Sequence, residues 1–191
     1  MPFAIELFFD NRSDMAVQKL GQRLEKGKIP TIFSKLGSTP HVSLAVFEQY
    51  DPDRLHSLLK NLASRFSPVP FRLSSLGTFP GREGVLFLAP VVTSWILEIH
   101  CCLHQALDKV IEGNWVYYFP GMWVPHCTLS IHLTAKKLAR GMEILRAKGF
   151  SVQGHYNRLA LIEFNPKARN HAVRLIYSVP FSGKRKEAKS A

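Results

Sequence analysis

Pro40-His41-Val42-Ser43-Leu44 and Pro125-His126-Cys127-Thr128-Leu129 share one pattern, Pro-His-x-(Ser/Thr)-Leu, 85 positions apart. A five-residue match is weak by itself, so the order of elements around it decides. Before His41 lie an apolar strand, Phe3 to Phe9, and a helical stretch with Met15, Leu20 and Leu24 at helical spacing. Before His126 lie a strand, Gly84 to Ala89, and a helix with Ile96, Ile99, Leu103, Leu107 and Val110 three or four apart.

The order after each motif also repeats. His41 opens a strand running to Phe47. Asp53 to Phe66 follows, with Leu55, Leu58, Leu59, Leu62 and Phe66 on one helical face, and then a strand, Phe71 to Leu76. After the second motif, Leu138, Met142 and Leu145 mark a helix with Thr134 placed to cap it. Tyr156 to Phe164 reads as a strand, and Arg174 to Pro180 as a last one. Each half is strand–helix–strand–helix–strand. The expected fold class is α+β: a duplicated two-lobe fold, with two antiparallel sheets facing a central cleft and helices outside. Residues 1–182 form one domain, with lobes of roughly 1–80 and 81–182. Phe79-Pro80-Gly81-Arg82-Glu83-Gly84 joins them as a turn rather than a linker. The basic tail, 183–191, lacks apolar periodicity and is expected to be disordered.

Composition narrows the function class. Apolar residues make up 46% of 191, enough for a substantial core. No window approaches the roughly 18 apolar residues of a membrane span. The N-terminal apolar run lacks a basic leader and holds an acid, Glu6, so it reads as a strand and not as an export signal. Cys101, Cys102 and Cys127 are odd in number and two are adjacent, which is no disulfide framework. A cytoplasmic location is the expectation. The net charge of +11 favours polyanionic partners, although a merely soluble basic surface fits it equally well.

Residues two apart in a strand share a face. His41 and Ser43 therefore point one way, with Val42 and Leu44 behind. His126 and Thr128 do the same, with Cys127 and Leu129 behind. A duplication that brings these strands together gathers two imidazoles and two hydroxyls around one point. Imidazoles trade protons near neutral pH. Hydroxyls can donate to phosphate oxygens as charge grows there.

With these residues in place, the paired motifs resemble the signature of the two-histidine phosphoesterases. That group includes RNA 2′,3′-cyclic phosphodiesterases, the so-called 2′-5′ RNA ligases and 2′,5′-oligoadenylate phosphodiesterases. The likeness runs from Phe3 to about Pro180. The segment Phe71 to Pro80, followed by Val85 to Leu88, is similar to the middle strand–turn–strand of the RNA-ligase-like branch. Where that branch often carries a basic residue after its second motif, this chain reads Leu129-Ser130-Ile131-His132.

The resemblance implies a metal-independent phosphodiesterase with His41 and His126 as the acid–base pair and Ser43 and Thr128 as phosphate ligands. It also implies no cofactor and an RNA or nucleotide substrate bearing a 2′,3′-cyclic phosphate or a 2′,5′ linkage. A non-catalytic RNA-binding module on the same fold is the alternative. No membrane partner is expected. Oligomeric state stays open, with a monomer as the default.

Several other residues invite a role. Trp123 and Tyr118, near Tyr117 and Phe119, are candidates for stacking on a nucleobase, against the plainer reading that they pack a strand edge. His100 and His104 sit four apart and invite a metal, but no second ligand cluster accompanies them and helix-flank histidines are the simpler reading. His56, His132, His155 and His171 show no paired context. Lys35 and Arg158 are isolated basic residues, expected to be solvated.

Overall fold

The computed structural model describes residues 1–165 and 172–184. His171 and the tail from residue 185 onward lie outside the described residues. Gly183, at the start of the expected tail, is held by its N–H donating to the Phe66 carbonyl at 2.9 Å.

The strands are β1 (Phe3–Phe9), β2 (His41–Phe47), β3 (Gln49–Tyr50), β4 (Val69–Gly77), β5 (Gly84–Pro90), β6 (Ile111–Glu112), β7 (Cys127–Leu133), β8 (Val152–Phe164) and β9 (Val173–Pro180). The helices are α1 (Asn11–Lys26), α2 (Ile32–Leu36), α3 (Pro52–Arg65), α4 (Ser94–Leu107) and α5 (Ala135–Lys148), with a 3₁₀ turn at Val116–Tyr118. Each α-helix begins on an Asp or Thr whose side chain accepts from the backbone three residues on: Asp10, Thr31, Asp51, Thr93 and Thr134. Each such cap is worth about 1 kcal/mol.

In α1, Leu20 and Leu24 are buried as expected, together with Val17, whereas Met15 is exposed. Val110 lies beyond the end of α4, although it is buried as the spacing suggested.

Seven strands form one antiparallel sheet, β2-β1-β8-β4-β5-β7, and β9 pairs β8; β3 and β6 make a separate two-stranded sheet. The α+β architecture with an antiparallel sheet and surrounding helices matches the sequence pattern. The sheets of the two lobes are joined through β8. One edge of β8 pairs β1, while the other pairs β4 along Val152–Tyr156 and β9 along Arg158–Phe164. The third strand of each half crosses over, so β4 completes the side containing β5 and β7, and β8 completes the side containing β1 and β2. The boundary near residue 80 divides the repeat and not the sheet.

The core lies between the sheet and the helices. Ile5, Leu7, Leu44, Leu86, Leu88, Cys127, Leu129, Leu159 and Leu161 are all fully buried there, packed with α1, α3, α4 and α5 side chains. At about 25 cal/mol per Å² of apolar surface removed from water, this burial is the main force holding the two halves together. Among the described residues, no helix is long and apolar enough to cross a membrane.

Candidate active site

β2 and β7 are the first and last strands of the order β2-β1-β8-β4-β5-β7, and they pack against each other. The backbone of His41 meets the Cys127 thiol, which burial pushes up to about 12. The imidazoles of His41 and His126 are close enough for one charge to feel the other. The fold thus brings the two motifs together as expected, with Val42, Leu44, Cys127 and Leu129 fully buried behind them.

Both motifs contain the same irregularity. On β2, Ile5 faces Ala45 and Glu6 faces Ser43, leaving Leu44 as the extra residue. On β7, Leu86 faces Ser130 and Phe87 faces Thr128, leaving Leu129 extra. The shared Leu of the motif is the bulged residue in both halves, and a bulge re-aims the side chains beside it. The pattern signalled a strand but not this break in it.

Each catalytic candidate is pinned alike. His41 Nδ1 lies 2.6 Å from the Thr39 carbonyl oxygen, and His126 Nδ1 lies 2.8 Å from that of Val124. A carbonyl only accepts, so each Nδ1 carries the hydrogen and each Nε2 is left for chemistry. Burial lowers His41 to about 4, with the His126 charge adding to the effect, and burial lowers His126 as well.

The surroundings of the two Nε2 atoms differ. His41 Nε2 lies 3.1 Å from Glu6 Oε1. Glu6 is 2% exposed, and burial raises its carboxyl well above the usual range. Tyr118 adjoins Glu6; burial first and the Glu6 charge second push its phenol up to about 12. His126 instead meets Phe79 edge-on at 4.9 Å and Phe87 at 5.2 Å. Phe87 faces Thr128 as Glu6 faces Ser43, so Glu6 and Phe87 occupy equivalent positions.

A loop and a helix brace the His41 side. Trp123 donates its indole N–H to the Ser43 carbonyl at 3.0 Å and stacks on His100 at 4.0 Å. One face of Trp123 is thereby covered, and Tyr118 is half-buried against Ala4, Val46 and Ile162. These two aromatics help build the wall of the site. Tyr117, 73% exposed, is more open than its loop neighbours Trp115 and Phe119. His100 Nε2 lies 2.9 Å from the Tyr118 carbonyl, and His104 Nε2 lies 3.0 Å from that of Leu44, the bulged residue. The pair that invited a metal has both Nε2 atoms on carbonyl oxygens and ties α4 to the site.

Arg158 shares a cross-strand row with His41 through Phe8, on the same face. Its Nε reaches Asn157 Oδ1 at 3.4 Å. Lys35 borders a cavity of about 260 Å³ that Glu83 and His132 also line and that includes neither motif histidine. His132 pairs with Glu83 at 2.7 Å, His155 with Asp10 at 3.6 Å, and His56 stacks on Tyr177 at 4.5 Å. A larger open groove of about 650 Å³, bordered by Arg12, Arg72 and His155, includes neither motif histidine.

The family model of the 2′-5′ RNA ligase superfamily matches residues 16–168. The chain belongs to that superfamily, a group of two-histidine phosphoesterases. No curated protein matches it. Among solved structures, TT0787 of Thermus thermophilus is similar at a TM-score of 0.66 and 14% identity, over 97% of this chain and 100% of that one. Escherichia coli LigT complexed with 3′-AMP is similar at 0.59 and 14% identity, over 95% and 99%. The crystal structure of a phosphoesterase is similar at 0.56 and 11% identity, over 94% and 97%. At these identities the likeness establishes a shared fold.

Proposed function

We propose that the protein is a phosphodiesterase that opens 2′,3′-cyclic phosphates or cleaves 2′,5′ bonds of RNA or nucleotides, with His41 and His126 as its acid–base pair. The observation carrying this reading is the matched pinning of both imidazoles. Each Nδ1 is spent on the carbonyl two residues upstream, which leaves Nε2 of each ring as the atom that can exchange a proton. One imidazole takes a proton from water or a ribose hydroxyl, and the other gives one to the leaving oxygen. Ser43 and Thr128 donate to the non-bridging phosphate oxygens. Residues 1–182 act as one two-lobed unit in this reading. The +11 charge supports a polyanionic substrate, and three free cysteines are consistent with the cytoplasm.

The test is turnover of a panel of 2′,3′-cyclic and 2′,5′-linked substrates in excess EDTA, with the products identified. Turnover that survives chelation is expected. Loss in EDTA with recovery on added Mn²⁺ would overturn the metal-independent mechanism. Tight RNA binding without turnover would favour a binding module on the same fold.

A further inference from the structure

Burial favours the neutral form of both His41 and His126. Two neutral imidazoles supply a base but no acid, so the site needs a proton from elsewhere. Glu6 Oε1 sits 3.1 Å from His41 Nε2, and the His41 Nδ1 hydrogen is already committed to Thr39. A neutral ring so oriented has only a lone pair at Nε2, and a carboxylate has only lone pairs. The contact therefore holds a proton, as a carboxyl O–H donating to Nε2 or as an imidazolium N–H donating to a carboxylate. Either form stores one proton between His41 Nε2 and Glu6 Oε1. At the equivalent position in the other half stands Phe87. Among the described residues no carboxylate pairs with His126.

We propose that Glu6 and His41 together store the proton delivered to the leaving oxygen, which makes His41 the acid and His126 the base; the proposal rests on the phosphodiesterase reading above. Glu6 acts through His41 and is a positioning residue. When substrate binds, the leaving oxygen displaces Oε1 from Nε2 and the proton stays on the ring, with the carboxylate as counter-charge. His126 Nε2 takes a proton from water, and the water oxygen bonds to phosphorus. The bond from phosphorus to the ribose oxygen breaks, its electron pair stays on that oxygen, and the oxygen takes the His41 proton. Glu6 ends as a carboxylate and His126 as an imidazolium, so charge balances. Solvent returns the proton as product leaves.

Other ionisable groups around the pair are few. Tyr118 from the 3₁₀ turn and Cys127 from β7 both adjoin Glu6, and burial holds both in their neutral forms. His126 adjoins His41. Arg158 on β8 stands one row along from Glu6.

The test compares a 2′,3′-cyclic nucleotide, whose ribose leaving oxygen needs a proton, with a p-nitrophenyl phosphodiester, whose leaving group does not. Glu6→Gln should lower kcat on the cyclic nucleotide by about 10²-fold with little change in KM, within the range for positioned proton transfer. It should leave the p-nitrophenyl ester within about threefold, since no acid is needed there. The alkaline limb of its pH–rate profile should move to lower pH. His41→Ala should show the same substrate split, and His126→Ala should lose activity on both. A Glu6→Gln enzyme that matches the wild type on both substrates, or that loses both equally, overturns the proposal. If the variant does not fold, ¹⁵N and ¹³C spectra of the wild type decide. An ionised Glu6 beside an unprotonated His41 Nε2 at neutral pH overturns the proposal, and a proton on either group supports it. Wild-type rates in both histidine variants would instead bring down the phosphodiesterase reading.

Discussion

The two halves of the site are copies in backbone and opposites in chemistry. His41 and His126 have the same pinned Nδ1, the same neighbouring hydroxyl and the same bulged leucine after it. Beside one stands a buried carboxyl, and beside the other stand two phenyl rings. On the proposed reading, duplication builds a symmetric cradle for a phosphate, but proton transfer in one direction needs an asymmetric one. A single position on the adjoining strand, Glu6 in β1 and Phe87 in β5, breaks the symmetry without disturbing the frame.

The strongest challenge to this comparison is to remove the imidazoles. His41→Ala and His126→Ala should each cost about 10²–10⁴-fold in kcat, measured on the substrate that the panel identifies. If the two act as one unit, the double variant should be little worse than either single variant. Losses that multiply would show the two histidines working independently.

The hydroxyls come next. Ser43→Ala and Thr128→Ala should each cost less than the imidazoles, on the order of 10²-fold or below, because each removes one donor among several. Similar losses at the two sites would show that the phosphate cradle is symmetric even though the proton path is not. A tenfold imbalance would extend the asymmetry to the hydroxyls.

Gly77→Ala probes the phenyl side alone. A Cβ at this position would lie 2.2 Å from the Phe87 ring. The ring must shift, and it borders His126. Overpacking of this kind costs about 1–3 kcal/mol, to be read from the denaturant midpoint. The His126 ring proton should titrate differently by NMR, whereas His41 should titrate as before. An equal change at both would show that the halves are mechanically coupled.

The smallest effect concerns the brace on the His41 side. Burial, and secondarily the His104 charge, lowers His100 to about 4. A histidine lowered in the fold adds stability above its usual value of 6.5 and loses it as pH falls toward 4. Melting temperature should therefore fall between pH 6.5 and 4, and it should fall less in His100→Gln. An identical slope in the variant would place the acid sensitivity elsewhere.

Much of this was legible in the sequence. The motif pair, the order of elements in each half and the buried residues behind each histidine follow from period-2 and period-3.6 spacing, which the core enforces. Glu6 was visible only as an acid interrupting an apolar strand, because a lone buried carboxyl and an exposed one look alike until the partner strand is known. The bulges at Leu44 and Leu129 were hidden for a related reason: register belongs to a pair of strands, not to one. The ties from His100 and His104 span 18 and 60 residues, and no local spacing encodes them. Met15 misled because its α1 position fits helical spacing while pointing away from the sheet.

The exchange of third strands also has a consequence for how the molecule is made. As the polypeptide leaves the ribosome, β1 can pair with β2 early, but its other edge waits for β8, about 150 residues later. β4 waits for β5 on one edge and β8 on the other. Such distant pairings slow folding, and unpaired edges are where nascent chains stick to one another. A chain stopped before Val152 would hold both histidine motifs and still lack the strand that joins its two sides. Amide hydrogen exchange on such a truncation should find β1 and β4 poorly protected, and strong protection there would mean that each side closes without β8.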